Sequence, residues 1–364
     1  MSTYQPQPIG KAVRQSPPVD LSKPYSDAWL KDKHILITGG ANGFGAGFVR
    51  RWAAASASVV VGDVNIEKGT KLVTDVRKEL GNRNVHFVHC DVRDWDSQVN
   101  LFKEAVKLSP HGGIDIVVPN AGVADMDTLQ TPTGLDAAEP PKPNFRVMDV
   151  NLYGVLYTVH LAMFWLPKNP GSKDAGPTTD PASSKRDRSI LLVGSMASLA
   201  PIAGQPLYGA AKHGVLGLFR SLRTSSFAWG VRVNLLCPYF IDTDIVPMSG
   251  RMVLAGGATG KVEDVVEAGT RFVADASVCG RSLIVGPKVK VQEQPDGEMK
   301  LVKKEEEGKE TAIWEAYADE FEDSELFMRR IVAVLNTVQS IRGWAGWVGD
   351  IVAAGTYGLK SFFR

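Results

Sequence analysis

The chain has 364 residues, of which 44% are hydrophobic and 22% are charged, and this apolar share is sufficient for an ordinary buried core. Its 41 basic and 40 acidic residues leave a formal net charge of +1, so the overall charge gives no reason to expect a nucleic-acid partner. The three cysteines, Cys90, Cys237 and Cys279, lie too far apart to indicate a disulfide framework or a CxxC metal site, which favours a reducing, cytoplasmic compartment.

Residues 1–30 are expected to form a loose N-terminal arm. The first 20 of them are polar and proline-rich and lack the apolar stretch of a secretory signal. From residue 31 to about residue 290, short β-branched runs alternate with segments of helical periodicity, which is typical of βαβ units and a parallel sheet. The pattern therefore predicts one domain over 31–290.

The predicted elements of this domain alternate regularly. The strand segments are HILIT (34–38), SVVVGD (58–63), VHFVHCD (85–91), IDIVVPN (114–120), SILLVGS (189–195), VRVNLLCP (231–238) and SLIVG (282–286). The helices are expected to begin near Ala46, Lys68, Trp95, Phe145, Tyr208 and Val262. This alternation predicts a Rossmann-type, doubly wound parallel sheet of seven strands with helices on both faces.

Other segments of the domain are long loops or an unusually apolar helix. Residues 125–144 and 168–188 are rich in proline, glycine, serine and charge, so they are expected to be loops. The segment 152–166 is nearly all apolar, but it is shorter than the roughly 18 residues of a membrane span, carries His160 and ends at Pro167. We therefore expect a helix buried within the α/β core.

Residues 291–364 are expected to be a C-terminal extension with amphipathic helices. A charged, turn-prone stretch precedes TAIWEAYADEFEDSELFMRRIVAVLNTVQ (311–339), which has helical character, and an aromatic, glycine-rich tail follows. On a helical period one side of the tail 341–364 collects Ile341, Trp344, Val348, Ile351, Val352, Leu359 and Phe362. This stripe predicts either packing on the core or on a second subunit of a homodimer, or contact with a membrane interface.

The segment TGGANGFG (38–45) places Gly39, Gly43 and Gly45 between a strand and a helix. Glycines here let backbone N–H groups approach a pyrophosphate on the helix N-terminus, so the context predicts dinucleotide binding rather than a tight turn without a ligand. Asp63 ends the next strand, where a carboxylate accepts hydrogen bonds from a ribose diol and repels a 2′-phosphate. Because Asn42 brings no cation to such a phosphate, NAD is expected over NADP.

The segment LYGAAKHG (207–214) places Tyr208 and Lys212 four residues apart on one helix face. The ammonium is expected to favour the phenolate and so lower the pKa of the tyrosine, which is otherwise a weak base at neutral pH. A solvated pair on a helix surface is the alternative. Ser195 lies at the carboxyl end of a strand, where ligands of open α/β sheets bind, and it either positions a substrate oxygen or caps a turn.

Further motifs accompany these residues in one order along 31–288. The series is TGGANGFG, CDVRD (90–94), NAG (120–122), NLYG (151–154), Ser195, YGAAK (208–212) and VRVNLLCPYFIDTDI (231–245). Together they resemble the classical short-chain dehydrogenase/reductase family. The resemblance implies an NAD(P)-dependent oxidoreductase that interconverts a secondary alcohol and a ketone by hydride transfer.

The resemblance also implies residue roles. Tyr208 is the acid/base, Lys212 binds the nicotinamide ribose and lowers the tyrosine pKa, and Ser195 orients the reacting oxygen. Asn151 holds a water of the proton relay; its alternative is a structural role that ties its helix to a strand carbonyl. The implied cofactor contacts are Gly39, Asn42, Gly43, Phe44, Gly45, Asp63, Asp91, Val92, Asn120, Gly122, Tyr208, Lys212 and Thr243.

Two positions depart from the family pattern. Pro119 stands where another Asn is frequent, and Tyr239 follows Pro238 where Gly is common, so its ring is expected to narrow or floor the active site. The segment SLIVGPKVKV (282–291) resembles enzymes of the 15-hydroxyprostaglandin dehydrogenase type. The six histidines show no spacing that indicates a metal site.

The sequence as a whole predicts an NAD-dependent dehydrogenase or reductase of small hydrophobic alcohols or ketones. It is expected in the cytoplasm, with membrane association through the tail 341–364. The alternative function is a dinucleotide-binding redox sensor or scaffold without significant turnover.

Overall fold

The structure of the chain is a computed structural model. It describes residues 16–124, 129, 134–173, 183–223, 229–241, 243, 259–295, 299–303 and 305–316, together with Arg330, Val334, Thr337 and Ile341.

A single twisted sheet forms the centre of the described residues. Its parallel strands are β1 (His34–Thr38), β2 (Ser58–Asp63), β3 (Val85–His89), β4 (Ile116–Pro119), β5 (Ser189–Val193), β6 (Arg232–Pro238) and β7 (Ser282–Glu293). They lie in the order β3-β2-β1-β4-β5-β6-β7. Strands β1, β2, β4 and β5 are mostly apolar and almost entirely buried because both faces of a parallel sheet are covered, and the predicted Rossmann-type fold is confirmed.

Six helices cover the two faces of the sheet in the described part of the chain. They are α1 (Gly43–Ala54), α2 (Ile66–Leu80), α3 (Trp95–Leu108), α4 (Arg146–Lys168), α5 (Pro206–Arg223) and α6 (Val262–Ala274). Helices α1, α2 and α6 pack into one hydrophobic cluster with the sheet, and α3, α4 and α5 pack into the other. This layering leaves the carboxyl ends of the strands open, and the strand order reverses between β1 and β4, where ligands of such sheets bind.

Helix α4 contains the apolar segment 152–166, which resembles a membrane-spanning helix in composition. Over the described residues it is the one helix long and apolar enough to cross a membrane, and half of its most apolar window is buried inside the protein. Its first part includes a π-helical turn, Asp149–Tyr153, which carries Asn151. The helix therefore packs against the sheet, as the sequence predicts.

The N-terminal arm is not loose over its described part, residues 16–30. Ser16 is buried, and its hydroxyl donates to the carbonyl oxygen of Cys279 at 3.1 Å. Leu30 belongs to the hydrophobic core, and Val19 and Leu21 pack against it. The proline-rich sequence did not indicate this packing, because the surface that the apolar residues contact exists only after the domain has folded.

The C-terminal extension contributes strands to the sheet, which the sequence did not predict. The predicted boundary at residue 290 falls inside β7, and β7 pairs antiparallel with β8 (Met299–Leu301) and β9 (Lys309–Glu315). The helix expected from residue 311 is therefore wrong over Thr311–Glu315, because pairing with the free edge of β7 overrides local helical character.

The remainder of the extension is described at isolated positions. Arg330, Val334, Thr337 and Ile341 have helical conformation, in agreement with the helical pattern of this stretch. The tail prediction, apart from Ile341, lies outside the described residues.

Candidate active site

A cavity of about 660 Å³ crosses the carboxyl ends of the strands. It extends from Asp63, at the end of β2, to Tyr239, directly after β6, and its volume is in the usual range of small-molecule sites. The predicted site residues that line it are Gly39, Asn42, Gly43, Phe44, Gly45, Asp63, Asp91, Val92, Asn120, Gly122, Ser195, Tyr208, Lys212 and Thr243. Asn151 is fully buried and does not line the cavity.

Two glycines of the glycine-rich loop that line the cavity have a positive φ. Gly39 has a φ of +63°, and a Cβ placed on it would lie 2.5 Å from the Cα of Ala121. Gly43 has a φ of +54° and begins α1, with Asn42 as the N-cap residue. The loop thus brings backbone and the positive end of a helix to the cavity, which is the cradle that a pyrophosphate needs.

Asn120 holds this loop in place. Its side-chain Nδ2 donates to the carbonyl oxygens of Thr38 at 3.0 Å and Gly39 at 2.8 Å. The hydroxyl oxygen of Thr38 in turn accepts from the backbone N–H of Asn120 at 3.1 Å. These bonds tie the end of β4 to the end of β1, so Asn120 positions the cofactor loop.

Asp63 has a structural role that the sequence did not predict. One of its carboxylate oxygens accepts from the backbone N–H of Ala41 at 3.0 Å, and the other accepts from the backbone N–H of Asn65 at 2.9 Å. The carboxylate therefore fastens the glycine-rich loop to β2 while lining the cavity. Four lone-pair sites leave it the capacity to bind a diol as well.

Asp91 forms a bidentate pair with Arg93, a cavity residue that sequence reasoning missed. Arg93 Nε lies 3.0 Å from Asp91 Oδ1, and Arg93 Nη2 lies 2.6 Å from Oδ2. The hydrogen bonds from Arg93 lower the pKa of Asp91. The short Asp-x-Arg spacing in CDVRD is the signal that could have indicated this pair.

Ser195 caps a turn, which is one of the two roles that the sequence left open, and its role in positioning a substrate oxygen stays a prediction. Its hydroxyl oxygen accepts from the backbone N–H of Ala197 at 3.1 Å and caps the 3-10 turn Met196–Ser198. The same side chain forms a hydrogen bond with the phenol of Tyr208. The cap fixes the serine at the end of β5, and the tyrosine of α5 reaches it across the cavity.

The pKa of Tyr208 departs from the sequence expectation. Burial raises it above the usual value for a phenol, and the hydrogen bond with Ser195 offsets only part of this effect. The Nζ atom of Lys212 lies 5.8 Å from the centre of the tyrosine ring. Because desolvation is the largest effect on this group, the protonated phenol is the stable form in the folded chain at neutral pH.

Lys212 is buried rather than solvated, which rules out the helix-surface alternative. Its side chain is at the inner face of α5, and Nζ donates to the carbonyl oxygen of Val193 at 3.1 Å. Burial lowers the pKa of the lysine from 10.5 to about 8. Because this pKa is still above neutral pH, the ammonium remains charged in the folded chain, but its burial lowers the free energy of unfolding.

Asn151 makes structural contacts with the segment that follows β4, rather than with the strand carbonyl of its alternative role. Its side-chain oxygen accepts from the backbone N–H of Val123 at 2.8 Å, and its Nδ2 donates to the Val123 carbonyl at 2.8 Å. A Cβ placed on Gly122 would lie 3.5 Å from Asn151 Oδ1 and 4.0 Å from Lys212 Nζ. Asn151 therefore stands next to the lysine, and its part in a proton relay remains a prediction.

The far end of the cavity is apolar and aromatic. Beyond Tyr208 its wall includes Met196, Ile202, Tyr239, Phe240 and Ile241. The sequence pointed to Tyr239 but not to the other four, because an apolar residue after a strand does not show whether it faces a core or a cavity. In the part of the chain that the structure describes, no group of three His, Cys, Asp or Glu side chains is arranged to hold a metal ion.

Comparison with known proteins agrees with this geometry. The family model described as short chain dehydrogenase matches residues 33–252, which is more than half of the chain. The 5'-hydroxyaverantin dehydrogenase of Dothistroma septosporum is 35% identical over 275 residues, covering 72% of this chain and 86% of that protein. The chain belongs to the short-chain dehydrogenase/reductase family.

Two further relatives differ in the cofactor that their names specify. NADP-dependent dehydrogenase clz5 of Cochliobolus lunatus is 35% identical over 267 residues, covering 69% of this chain and 87% of that protein. The 15-hydroxyprostaglandin dehydrogenase of Mus musculus, whose name specifies NAD(+), is 29% identical over 219 residues, covering 60% and 70%. The predicted resemblance to enzymes of the latter type is confirmed.

A solved structure shares the fold. The 3-ketoacyl-(acyl-carrier-protein) reductase from Brucella melitensis, solved with NADH, has a TM-score of 0.56 and 24% sequence identity, covering 70% of this chain and 97% of that chain. With the family established, the chain is an oxidoreductase that acts on CH–OH groups of a small molecule and binds a nicotinamide dinucleotide.

Proposed function

We propose that this short-chain dehydrogenase/reductase interconverts a hydrophobic secondary alcohol and its ketone and that it uses NAD in preference to NADP. The observation that carries the proposal is the single cavity that has Asp63 at one end and the cluster of Ser195, Tyr208 and Lys212 near the other. The name of the Dothistroma septosporum relative, a dehydrogenase of a hydroxylated compound, supports the reaction class.

Tyr208 and Ser195 have different roles in the proposed reaction. A bound nicotinamide supplies or accepts the hydride. Tyr208 donates its phenolic proton to the substrate oxygen during ketone reduction and takes a proton back during alcohol oxidation. Ser195, fixed as the cap of its turn, hydrogen-bonds the same oxygen and stabilises the charge that develops on it.

Lys212 and the loop residues prepare the site. The buried ammonium of Lys212 lies on the cavity wall, where it can bind the hydroxyls of a nicotinamide ribose and, once it does so, oppose the rise in the tyrosine pKa. Asn120 and Asp63 hold the glycine-rich loop for the pyrophosphate. The apolar wall around Ile202 and Tyr239 favours a hydrophobic substrate.

The preference for NAD rests on the charge beside the adenosine end of the cavity. Asp63 lines the cavity at the end of β2, where its carboxylate would bind the ribose diol of NAD and repel the 2′-phosphate of NADP. Arg93 lines the same cavity, but its guanidinium is paired with Asp91. Both nucleotides should therefore be compared directly, because relatives of both kinds are known.

Tyr208→Phe tests the reaction assignment. Removing only the phenolic oxygen should lower kcat by more than about 100-fold and leave the Kd for NADH, measured by fluorescence, within about twofold of wild type. Tyr153→Phe, on the exposed side of α4, is the matched control and should behave like wild type. A Tyr208→Phe enzyme that retains a tenth of the wild-type rate would refute the assignment of Tyr208 as the acid/base. A wild type that binds NADH but oxidises no hydrophobic secondary alcohol would favour a redox sensor.

A further inference from the structure

The C-terminal strand β9 lies on the far side of Gly286 from Tyr239, a residue that lines the active-site cavity. This strand lies outside residues 33–252, the part of the chain that the family model matches. It pairs antiparallel with β7, and Trp314 is the direct partner of Ile284. The neighbouring Glu315 forms an ion pair with Arg281, whose side chain is almost fully buried. Strand β9 is therefore fixed to the sheet by backbone and side-chain contacts.

Gly286 creates the space in which Trp314 approaches the cavity wall. A Cβ placed on Gly286 would lie 3.0 Å from the indole Cη2 of Trp314 and 3.9 Å from the Cβ of Tyr239. The indole thus packs closely over the Cα of Gly286, and the same small residue also faces Tyr239. The backbone N–H of Tyr239 donates to the carbonyl oxygen of Val285 at 2.7 Å, so this segment is held against β7.

Tyr239 and Phe240 present an aromatic wall to the cavity. Their ring centres are 4.9 Å apart in an edge-to-face arrangement, and both residues line the cavity that also contains Tyr208. Tyr239 keeps 38% of its surface exposed, so the protein does not fully enclose its side chain. A support behind such a half-exposed ring determines how far the ring can move away from a bound molecule.

We propose that β9 supports the substrate-binding wall from outside the cavity and that Trp314, acting through Tyr239 across Gly286, is a positioning residue that limits the size of the hydrophobic alcohol the site accepts. This inference rests on the proposed function for the class of substrate. Trp314 also packs half-buried against the hydrophobic cluster of α3, α4 and α5. Its substitution therefore lowers stability as well, and the test must separate the two effects.

The test compares substitutions on the two faces of β9. Trp314→Ala removes the support and should shift the ratio of kcat/KM for a two-ring over a one-ring secondary alcohol at least about tenfold toward the larger one, through KM rather than kcat. Ile313→Ala, whose side chain packs on the opposite hydrophobic cluster, is the matched control and should lower stability without changing the ratio. Trp314→Phe should restore most of the wild-type ratio.

A second substitution perturbs the same contact in the opposite direction. Gly286→Ala places a methyl group 3.0 Å from the indole, which is a tight contact, and 3.9 Å from Tyr239 Cβ, which is an ordinary one. The methyl group fills the space between the two residues, so Tyr239 should move away from the cavity less easily and the ratio should shift toward the smaller alcohol. This variant keeps the indole, so it tests the inference even if Trp314→Ala does not fold.

Binding of phenol and 1-naphthol to the NADH complex gives a measure that does not depend on turnover. Neither probe has a carbinol hydrogen, so their affinities can be measured by calorimetry whether or not the enzyme oxidises alcohols. The naphthol-to-phenol affinity ratio should rise about tenfold in Trp314→Ala and fall in Gly286→Ala. Ratios equal to that of wild type in both variants would overturn the inference. If these ratios change while wild type oxidises no secondary alcohol, the proposed function fails and the role of Trp314 stands.

Discussion

Replacing Lys212 by methionine should stabilise the protein in a pH-dependent manner while it abolishes catalysis. Burial lowers the pKa of this lysine from 10.5 to about 8, so the folded chain carries the ammonium less readily than the unfolded chain does. At about 1.4 kcal/mol for each pKa unit, the charged side chain reduces the free energy of unfolding by about 3 kcal/mol at neutral pH. Methionine fills a similar volume without a charge.

The sign of the pH dependence follows from the two pKa values. Below pH 8 the lysine is charged in both states and the full cost is present; between pH 8 and 10.5 the folded state loses its proton first, and the cost disappears. Methionine leaves the carbonyl of Val193 without its donor, which costs about 1–3 kcal/mol but does not vary with pH. The advantage of Lys212→Met over wild type should therefore shrink by about 2 kcal/mol between about pH 7 and about pH 9.5.

Urea unfolding at the two pH values measures this difference, since the change with pH cancels every group that titrates equally in both proteins. Lys103→Met, at an exposed position on α3, is the matched control and should show the same stability difference from wild type at both pH values. An advantage of Lys212→Met that is equal at both pH values would refute the conclusion that a buried ammonium destabilises the active site. Activity of this variant near that of wild type would refute its place in the site.

Three other predictions concern the cofactor, acid stability and the tail. Asp63→Ala should weaken NAD binding about tenfold and relax discrimination against NADP, because it removes the acceptor of the Ala41 N–H together with the charge. Asp63→Asn should relax discrimination against NADP with a smaller loss of NAD affinity. A wild type that prefers NADP would contradict this role of Asp63. Burial lowers the pKa of His34 from 6.5 to about 4. When the pH falls from about 7 to about 4.5, urea unfolding should therefore show that wild type loses about 2–3 kcal/mol more stability than His34→Gln. Equal losses would show that His34 does not cause the acid sensitivity. Deleting residues 341–364 should leave NADH binding intact but reduce flotation with liposomes, whereas equal flotation of both proteins would exclude membrane contact through the tail and leave packing or oligomerisation.

The sequence by itself determined most of the local structure of the domain. Alternating apolar runs and helical periods fixed seven strands and the helices between them, because each pattern reports the periodicity of side chains along one element. The glycine spacing of TGGANGFG and the four-residue spacing of Tyr208 and Lys212 likewise indicated a loop and a helix face. These signals act over a few residues, so they can be interpreted without knowledge of the tertiary fold.

Contacts between distant segments were decided only by the tertiary structure. Asn120 holds a loop some 80 residues earlier, Asp63 fastens the loop of Ala41, and the pKa of Tyr208 depends on burial that no local spacing reveals. Strand β9 forms where the sequence favoured a helix, since its partner is the open edge of β7 and an unpaired edge supplies backbone hydrogen bonds that outweigh weak local propensity. Spacing along the chain could therefore identify the candidate site residues, but burial across the fold determined their pKa values and strand pairing determined the position of β9.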